Sequence, residues 1–539
     1  MRTHGGRCGG DRDGAALTHE RAGDRDGGSR GPRAITLAAV GAALLAALAP
    51  ARARADEPRS ATEPRVMMES GEVTNVIDAF DDADPFDVNV SLGFEYSTKS
   101  AVIRRETSIA RPGLSTGGYT SNLMNVASYA ESTSKLIPRI DFGIYKDLAG
   151  HISLPIILNH SRELSDLDGT AGKEPIVLEG SPGRSLFTLP FASPDRSGIE
   201  HIAVGLDLNL MNQARDRTRP TWLFGFEGRF SVSEPMHACN PNHVQGQVQC
   251  AQPGDINRNG ESDGGLEAED ASQREPNVSR GTAALEVHTV LSKRIKYVEP
   301  YGGFSALFEF QQESSDYGLS DLETSLVNHP PLVGTVMLGI MIIPWENREK
   351  FGRLTFDLRL AGQYHSEGRD YSELFDALGS STDPALRSPQ WAGFRANPDY
   401  NAAFCEGDPN TPCRPQSIVD EGSQKTFFTG LTDVQAYGSY RASASVTWQA
   451  SELVKFQFGV GYRHDQGHGI GGDQPCNPDL KDDPGKAGPC RRGGGEGEST
   501  AVTGQPNPNY RTVLNAVGRR FYVDENNTFD VFASGVVMF

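Results

Sequence analysis

Apolar and polar side chains alternate with a period of two through most of this chain, in segments of about ten residues. The clearest segment runs from Ile202 to Leu210. Ile202, Val204, Leu206, Leu208 and Leu210 share one face, and Ala203, Gly205, Asp207 and Asn209 share the other. Trp222, Phe224, Phe226 and Phe230 oppose Gly225, Glu227, Arg229 and Ser231 in the same way. Leu354, Phe356, Leu358 and Leu360 oppose Arg353, Thr355, Asp357 and Arg359, and Val454, Phe456, Phe458 and Val460 oppose Lys455, Gln457 and Gly459. Successive side chains of a strand point to opposite faces, so the period predicts strands with one apolar and one polar side. Such strands are expected at 86–97, 135–145, 151–159, 199–211, 220–232, 280–292, 297–311, 332–344, 352–365, 435–449, 453–464 and 527–539. The segment 332–344 is the weakest of them, being apolar on both faces.

Soluble β-sandwiches also alternate, but two features separate this chain from them. The polar faces are rich in Gly, Ser, Asn and charges of both signs, as a crowded barrel interior requires, and aromatic residues recur near segment ends (Tyr96, Tyr145, Trp222, Trp345, Tyr364, Trp448, Tyr462). The connections carry more weight. Short links at 146–150, 212–220, 293–296, 345–351 and 450–452 alternate strictly with long ones at 98–134, 160–198, 233–279, 312–331, 366–434 and 465–526. A sandwich has no reason to collect its long loops at one end. An outer-membrane barrel does, with short periplasmic turns and long extracellular loops. The expected fold is all-β: a transmembrane antiparallel up-and-down β-barrel of about 12 strands, with long, disulfide-containing extracellular loops.

The end of the chain carries a resemblance. Phe529, Val531, Ala533, Gly535, Val537 and Phe539 alternate up to a terminal Phe, which is similar to the last strand of bacterial outer-membrane β-barrel proteins. The likeness is to the class, not to a subfamily, and its pattern covers 86–539. It implies that Phe539 is the assembly signal read by the outer-membrane barrel assembly machinery, and that the outer membrane of a Gram-negative bacterium is the location.

The N-terminus supports export. Arg33, an apolar run from Ile35 to Leu48, and Ala53-Arg54-Ala55 compose a signal peptide over 1–55, cut before Asp56. Its n-region is unusually long, which leaves the translation start open. Residues 56–85 are then a periplasmic N-terminal segment and 86–539 the barrel. Removing the signal takes away nine arginines and five acids, so the net charge moves from −19 to −23. That balance excludes a general attraction to nucleic acid. Outer-membrane lipid is the implied surrounding, and nothing in the sequence sets an oligomeric state.

Six of the seven cysteines follow the signal, two in each of three long loops: Cys239 and Cys250, Cys405 and Cys413, Cys476 and Cys490. In an oxidising compartment disulfides are the default, and pairing within each loop is the simplest of fifteen connectivities. The segment Asp255–Asp263 places Asp255, Asn257, Asn259 and Asp263 at positions 1, 3, 5 and 9 around Gly260, the spacing of a calcium loop. Position 12 is Leu266, however, and an acidic solvated loop reads equally from these residues. No other cofactor is suggested. In the longest loop Tyr371, Leu374, Phe375 and Leu378 recur at helical spacing, predicting an amphipathic helix that caps the mouth, enters the lumen or packs on its own loop.

The polar faces assign the lumen. Glu95, Arg139, Asp141, Asp207, Glu227, Arg229, Glu286, His288, Glu309, Arg353, Asp357, Arg359, Arg441, Lys455 and Arg463 are expected to point inward. Of these, Glu227, Arg229, Arg353, Asp357, Arg359, Arg441 and Arg463 are the candidate pore-lining residues. Arg353, Arg359, Arg441 and Arg463 form either a cationic ladder suited to an anionic solute or one side of internal salt bridges. Twelve strands enclose a space between a filled eight-stranded barrel and an open porin. Two functions compete: a channel or solute-translocating pore for a small polar solute, and a non-conducting barrel that displays loops for adhesion or ligand binding. A lipid hydrolase needs Ser and His together on the outer surface. His151, His201 and His288 lie on the polar face and no Ser partner is evident, so an enzyme is not expected.

Overall fold

The computed structural model describes residues 73–77, 79, 87–110, 119–167, 177–244, 247–250, 275–312, 315–318, 327–391, 393–399, 417–423, 425–477 and 505–539. Among them twelve strands close into one antiparallel barrel. They are β1 (Val88–Ala110), β2 (Tyr119–Tyr145), β3 (Leu148–Ser153, continuing as Ile156–Asp166), β4 (Ile202–Met211), β5 (Thr221–Phe230), β6 (Thr282–Ser292), β7 (Val298–Gln311), β8 (Val333–Asn347), β9 (Gly352–His365), β10 (Tyr437–Gln449), β11 (Val454–Asp465) and β12 (Asn526–Met538). Each pairs with its neighbour in sequence, and β12 closes on β1 from Asn89 opposite Met538 to Ser100 opposite Asn527. Phe539 completes the seam: its amide donates to the Val88 carbonyl at 2.8 Å.

The alternation sorts side chains as the sequence implies. Val204, Phe224, Phe226, Leu358, Phe458 and Val531 are exposed on the outer surface, and so are all seven end-of-strand aromatics. Tyr145, Trp222, Trp345 and Trp448 lie toward the short turns, and Tyr96, Tyr364 and Tyr462 toward the long loops. An apolar belt between two aromatic rings is the surface a bilayer solvates.

The expected loop at 98–134 is instead mostly strand. The β1–β2 ladder continues to Ala110 opposite Tyr119, broken by one bulge beside Ile103. A membrane crossing takes about 9–11 residues, so strands of 23 and 27 residues stand well beyond it. The polarity reverses in this outer part. Ala101 and Ile103 are buried inward, while Arg104 and Glu106 pair outward with Asp524 and Arg520. Once water replaces lipid outside, the apolar side turns in, and the membrane pattern no longer reports the strand. The loop expected from 160 is shortened likewise, because β3 runs to Asp166.

The outer hairpin and the long loops share a core. Ile103, Ala127, Tyr129, Leu164, Leu178, Leu186, Leu378, Ile470, Leu514 and Phe521 pack in one cluster that fills the outer end of the barrel. Within it the expected helix is a five-residue turn, α1 (Phe375–Gly379), and it is not amphipathic: every residue is buried, Asp376 included. Asp376 accepts from Arg196 at 2.5 Å and from the Cys239 amide at 2.9 Å. Neighbouring Glu373 pairs with Lys99 of the wall at 2.7 Å. Cys239 is bonded to Cys250, as local pairing predicts. Cys405, Cys413, Cys490 and the side chain of Cys476 lie outside the described residues, as do the signal peptide and Asp255, Asn257, Asn259 and Asp263.

Candidate functional site

The lumen is built from the polar faces of all twelve strands, and their register decides which charges meet. On one side, His151 of β3 bridges Asp207 of β4 (3.0 Å) and Glu227 of β5 (2.9 Å), and Asp207 also meets Nε2 of His288 at 2.8 Å. Arg229 donates to Glu227 at 2.7 Å and pairs with Glu286 of β6. Two glycines make room for this cluster. A Cβ on Gly205 would lie 2.3 Å from His151 Nε2, and one on Gly225 would lie 2.2 Å from an Asp207 oxygen.

The facing wall carries a second set. Tyr301 of β7 donates to Asp357 of β9 at 2.8 Å and accepts from Arg359 Nε at 2.9 Å; Arg359 also reaches Asp357 at 3.3 Å. Arg441 of β10 donates to Asp530 of β12 at 3.0 Å, and Arg463 of β11 lies 3.4 Å from Asp465. The ladder of arginines therefore exists as salt-bridged pairs, not as four unpartnered cations: Asp357 and Asp465 lie two residues from Arg359 and Arg463 on the same strands, and Asp530 reaches Arg441 from β12 across β11. Arg353 is buried near the short turns. Arg139 pairs with Asp141, and Glu309 pairs with Arg280 at the outer end.

The strand that is apolar on both faces, β8, explains itself here. Inward Met337 and Met341 pack with Val290, Tyr301 and Val73. Val73 belongs to a segment that the sequence pattern did not place in the lumen. Residues 73–77 and 79 lie in the barrel's short-turn end. Val76 contacts Ala149 and Leu223, and the Thr74 and Ser292 hydroxyls are 2.8 Å apart. The Thr74 carbonyl accepts from Asn209 at 3.4 Å, and the Ala79 carbonyl accepts from the Lys146 amide at 2.8 Å. The only signal for this in the sequence was two valines in a polar stretch.

Between that segment and the outer cap the lumen keeps free space. A cavity of about 320 Å³ lies beside Asn75, Arg139, Asp141 and Lys455. A second, of about 450 Å³, lies beside Met337, Arg359, Gln363, Arg441 and Phe532. Thr447 and Gln457 line both, so the two adjoin.

The lipid-facing belt, the closed wall and the polar interior decide the class. The chain folds as a closed transmembrane β-barrel of twelve strands. No family model and no curated protein matches its sequence. Among solved structures it is similar to an outer-membrane channel from Pseudomonas putida F1, with 9% identity, 90% of this chain and 100% of that one covered, and a TM-score of 0.31. A Pseudomonas aeruginosa FadL homologue matches with 8% identity over 84% of this chain and 90% of that one, TM-score 0.28. The outer-membrane protease OmpT from Escherichia coli matches with 7% identity over 84% and 96%, TM-score 0.22. At such scores a shared barrel architecture is all that the likeness conveys, and the lumen itself carries the functional argument.

In the cap of this barrel two neighbouring buried acids, Asp433 and Asp473, are both shifted upward in pKa. Asp433 is buried beside Asp473 and Glu367. Burial first, and then the charges of those two acids, push its carboxyl up to about 9 against the pull of Arg369.

Proposed function

We propose that this outer-membrane barrel is a gated channel for small polar solutes. The supporting observation is the pair of adjoining cavities within the lumen, the smaller beside the inner segment. An eight-stranded barrel fills its interior with side chains, whereas this one leaves space along charged walls and is stopped only at its ends. The stops are separate pieces of chain, the segment at 73–79 inside and the looped cap outside, so passage requires their displacement and no rearrangement of the wall. Planar-bilayer recording of the purified protein tests the reading. Discrete openings, with ion selectivity shifted by Arg359→Glu, support it. A barrel that stays silent at all voltages, and after substitutions that dislodge the inner segment, overturns it.

The second reading, a surface-display barrel, draws on the cap. Its loops form a continuous core with α1 and the Cys239–Cys250 bridge docked together. Ligand binding by a silent barrel, dependent on added calcium, favours that reading and implicates the loop of Asp255, Asn257, Asn259 and Asp263.

A further inference from the structure

The salt bridges of the larger cavity are not symmetric about their two charges. Arg359 keeps 38% of its side-chain surface while its partner Asp357 keeps 14%; Arg441 keeps 40% and Asp530 only 8%. In both pairs the carboxylate is sunk into the wall and the guanidinium stands over it. Pairing cancels formal charge and leaves the guanidinium N–H groups as the more exposed part of each pair, with the Asp357 carboxylate also on the cavity wall. An arginine that spends one edge on an acid beneath it retains further donors for a second anion. The same cavity has an apolar side, which a lumen for inorganic ions does not need. Met337 of β8 and Phe532 of β12 line it together with Val73 of the inner segment. Its volume of about 450 Å³ falls within the range of small-molecule sites.

We propose that this cavity is a binding site for small organic carboxylates with an apolar body. Arg359 and Arg441 take the carboxylate, and Met337 and Phe532 take the body. The inference deepens the channel reading and rests on it, since it names the solute class for which the lumen is selective. A planar carboxylate matches the guanidinium fork better than a spherical anion does. Each acid holds its arginine in place, and in both pairs the arginine is the more exposed partner.

Equilibrium dialysis of radiolabelled benzoate against the full protein in lipid nanodiscs tests this, with empty nanodiscs as the blank. The expected result is saturable binding at one site per chain. Unlabelled benzoate displaces it, while neutral benzamide and apolar-poor acetate displace it at least about tenfold less well. The Arg441→Gln/Asp530→Asn pair removes the donor without stranding a buried acid, and should weaken binding about tenfold or more. Arg104→Gln/Asp524→Asn, an outward-facing pair on the rim, should leave it unchanged. Heat-modifiable gel migration confirms that each variant folds. Absence of saturable binding, or equal displacement by benzamide, overturns the proposal. Conductance is recorded separately: openings without benzoate preference overturn this inference alone, and benzoate binding by a silent barrel overturns the channel reading alone.

Discussion

The Arg105 guanidinium stacks over the Phe521 ring at 4.8 Å, joining the tall first hairpin to the last extracellular loop. Its nitrogens donate to four backbone carbonyls, those of Val177, Glu179, Val513 and Arg519, at 2.7–3.0 Å. One buried side chain thus ties two loops to the barrel rim and satisfies carbonyls that would otherwise be buried without donors.

Arg105→Ala should therefore loosen the cap and spare the barrel. Each lost charge-assisted bond is worth about 1.5–3 kcal/mol, so trypsin should cut the segment 505–523 at least about tenfold faster. Heat-modifiable migration of the barrel should not change. Arg105→Lys should not rescue, because one ammonium cannot reach carbonyls on opposite sides of a planar fork.

The buried Asp433 makes the cap sensitive to alkali. Its carboxyl sits at about 9 in the folded cap and near 4 in an open, solvated loop. The folded form therefore holds the proton more tightly. Its contribution to stability is complete below about pH 4 and is lost as pH rises toward 9. Asp433→Asn should lessen that slope, giving a cap whose resistance to proteolysis falls less between pH 6 and pH 9 than in wild type. A wild-type profile that is flat over the same range would contradict this account.

Glycines 205 and 225 should not tolerate side chains. Valine at either position drives a Cβ into the His151–Asp207–His288 cluster and separates buried charges from their partners, at a cost of about 3–5 kcal/mol. The expected result is a sharp fall in folded yield, seen as loss of the heat-modifiable band. Gly362→Ala, where nothing lies within 4 Å of the added carbon, is the control and should fold as wild type.

The inner segment should be displaceable by charge. Val76→Asp places a carboxylate against Ala149 and Leu223, an environment that penalises an unpaired charge by several kcal/mol. Open-channel time in a planar bilayer should rise several-fold over wild type. Unchanged records would mean that the segment does not block the path.

The sequence alone determined the wall. Lipid outside and water or charge inside impose a period of two on each crossing, and the strict order of short and long links then sets strand number, closure and which end faces out. The Cys239–Cys250 bridge was legible for the same local reason, since two cysteines in one loop have little choice of partner. The ends of the lumen were not legible. Beyond the bilayer the outer parts of β1 and β2 turn their apolar side inward, so Ile103 and Tyr129 belong to a cap core that no periodic rule assigns. Val73 and Val76 have no repeat at all, and only the structure sets Val73 against the methionines of β8 and Val76 against Ala149 and Leu223. Of the four arginines, Arg359 and Arg441 line the larger cavity. Their partners came in two ways: Asp357 lies two residues from Arg359 on the same strand, whereas Asp530 meets Arg441 from β12. The second pairing joins residues 89 apart in sequence, and only the tertiary structure could decide it.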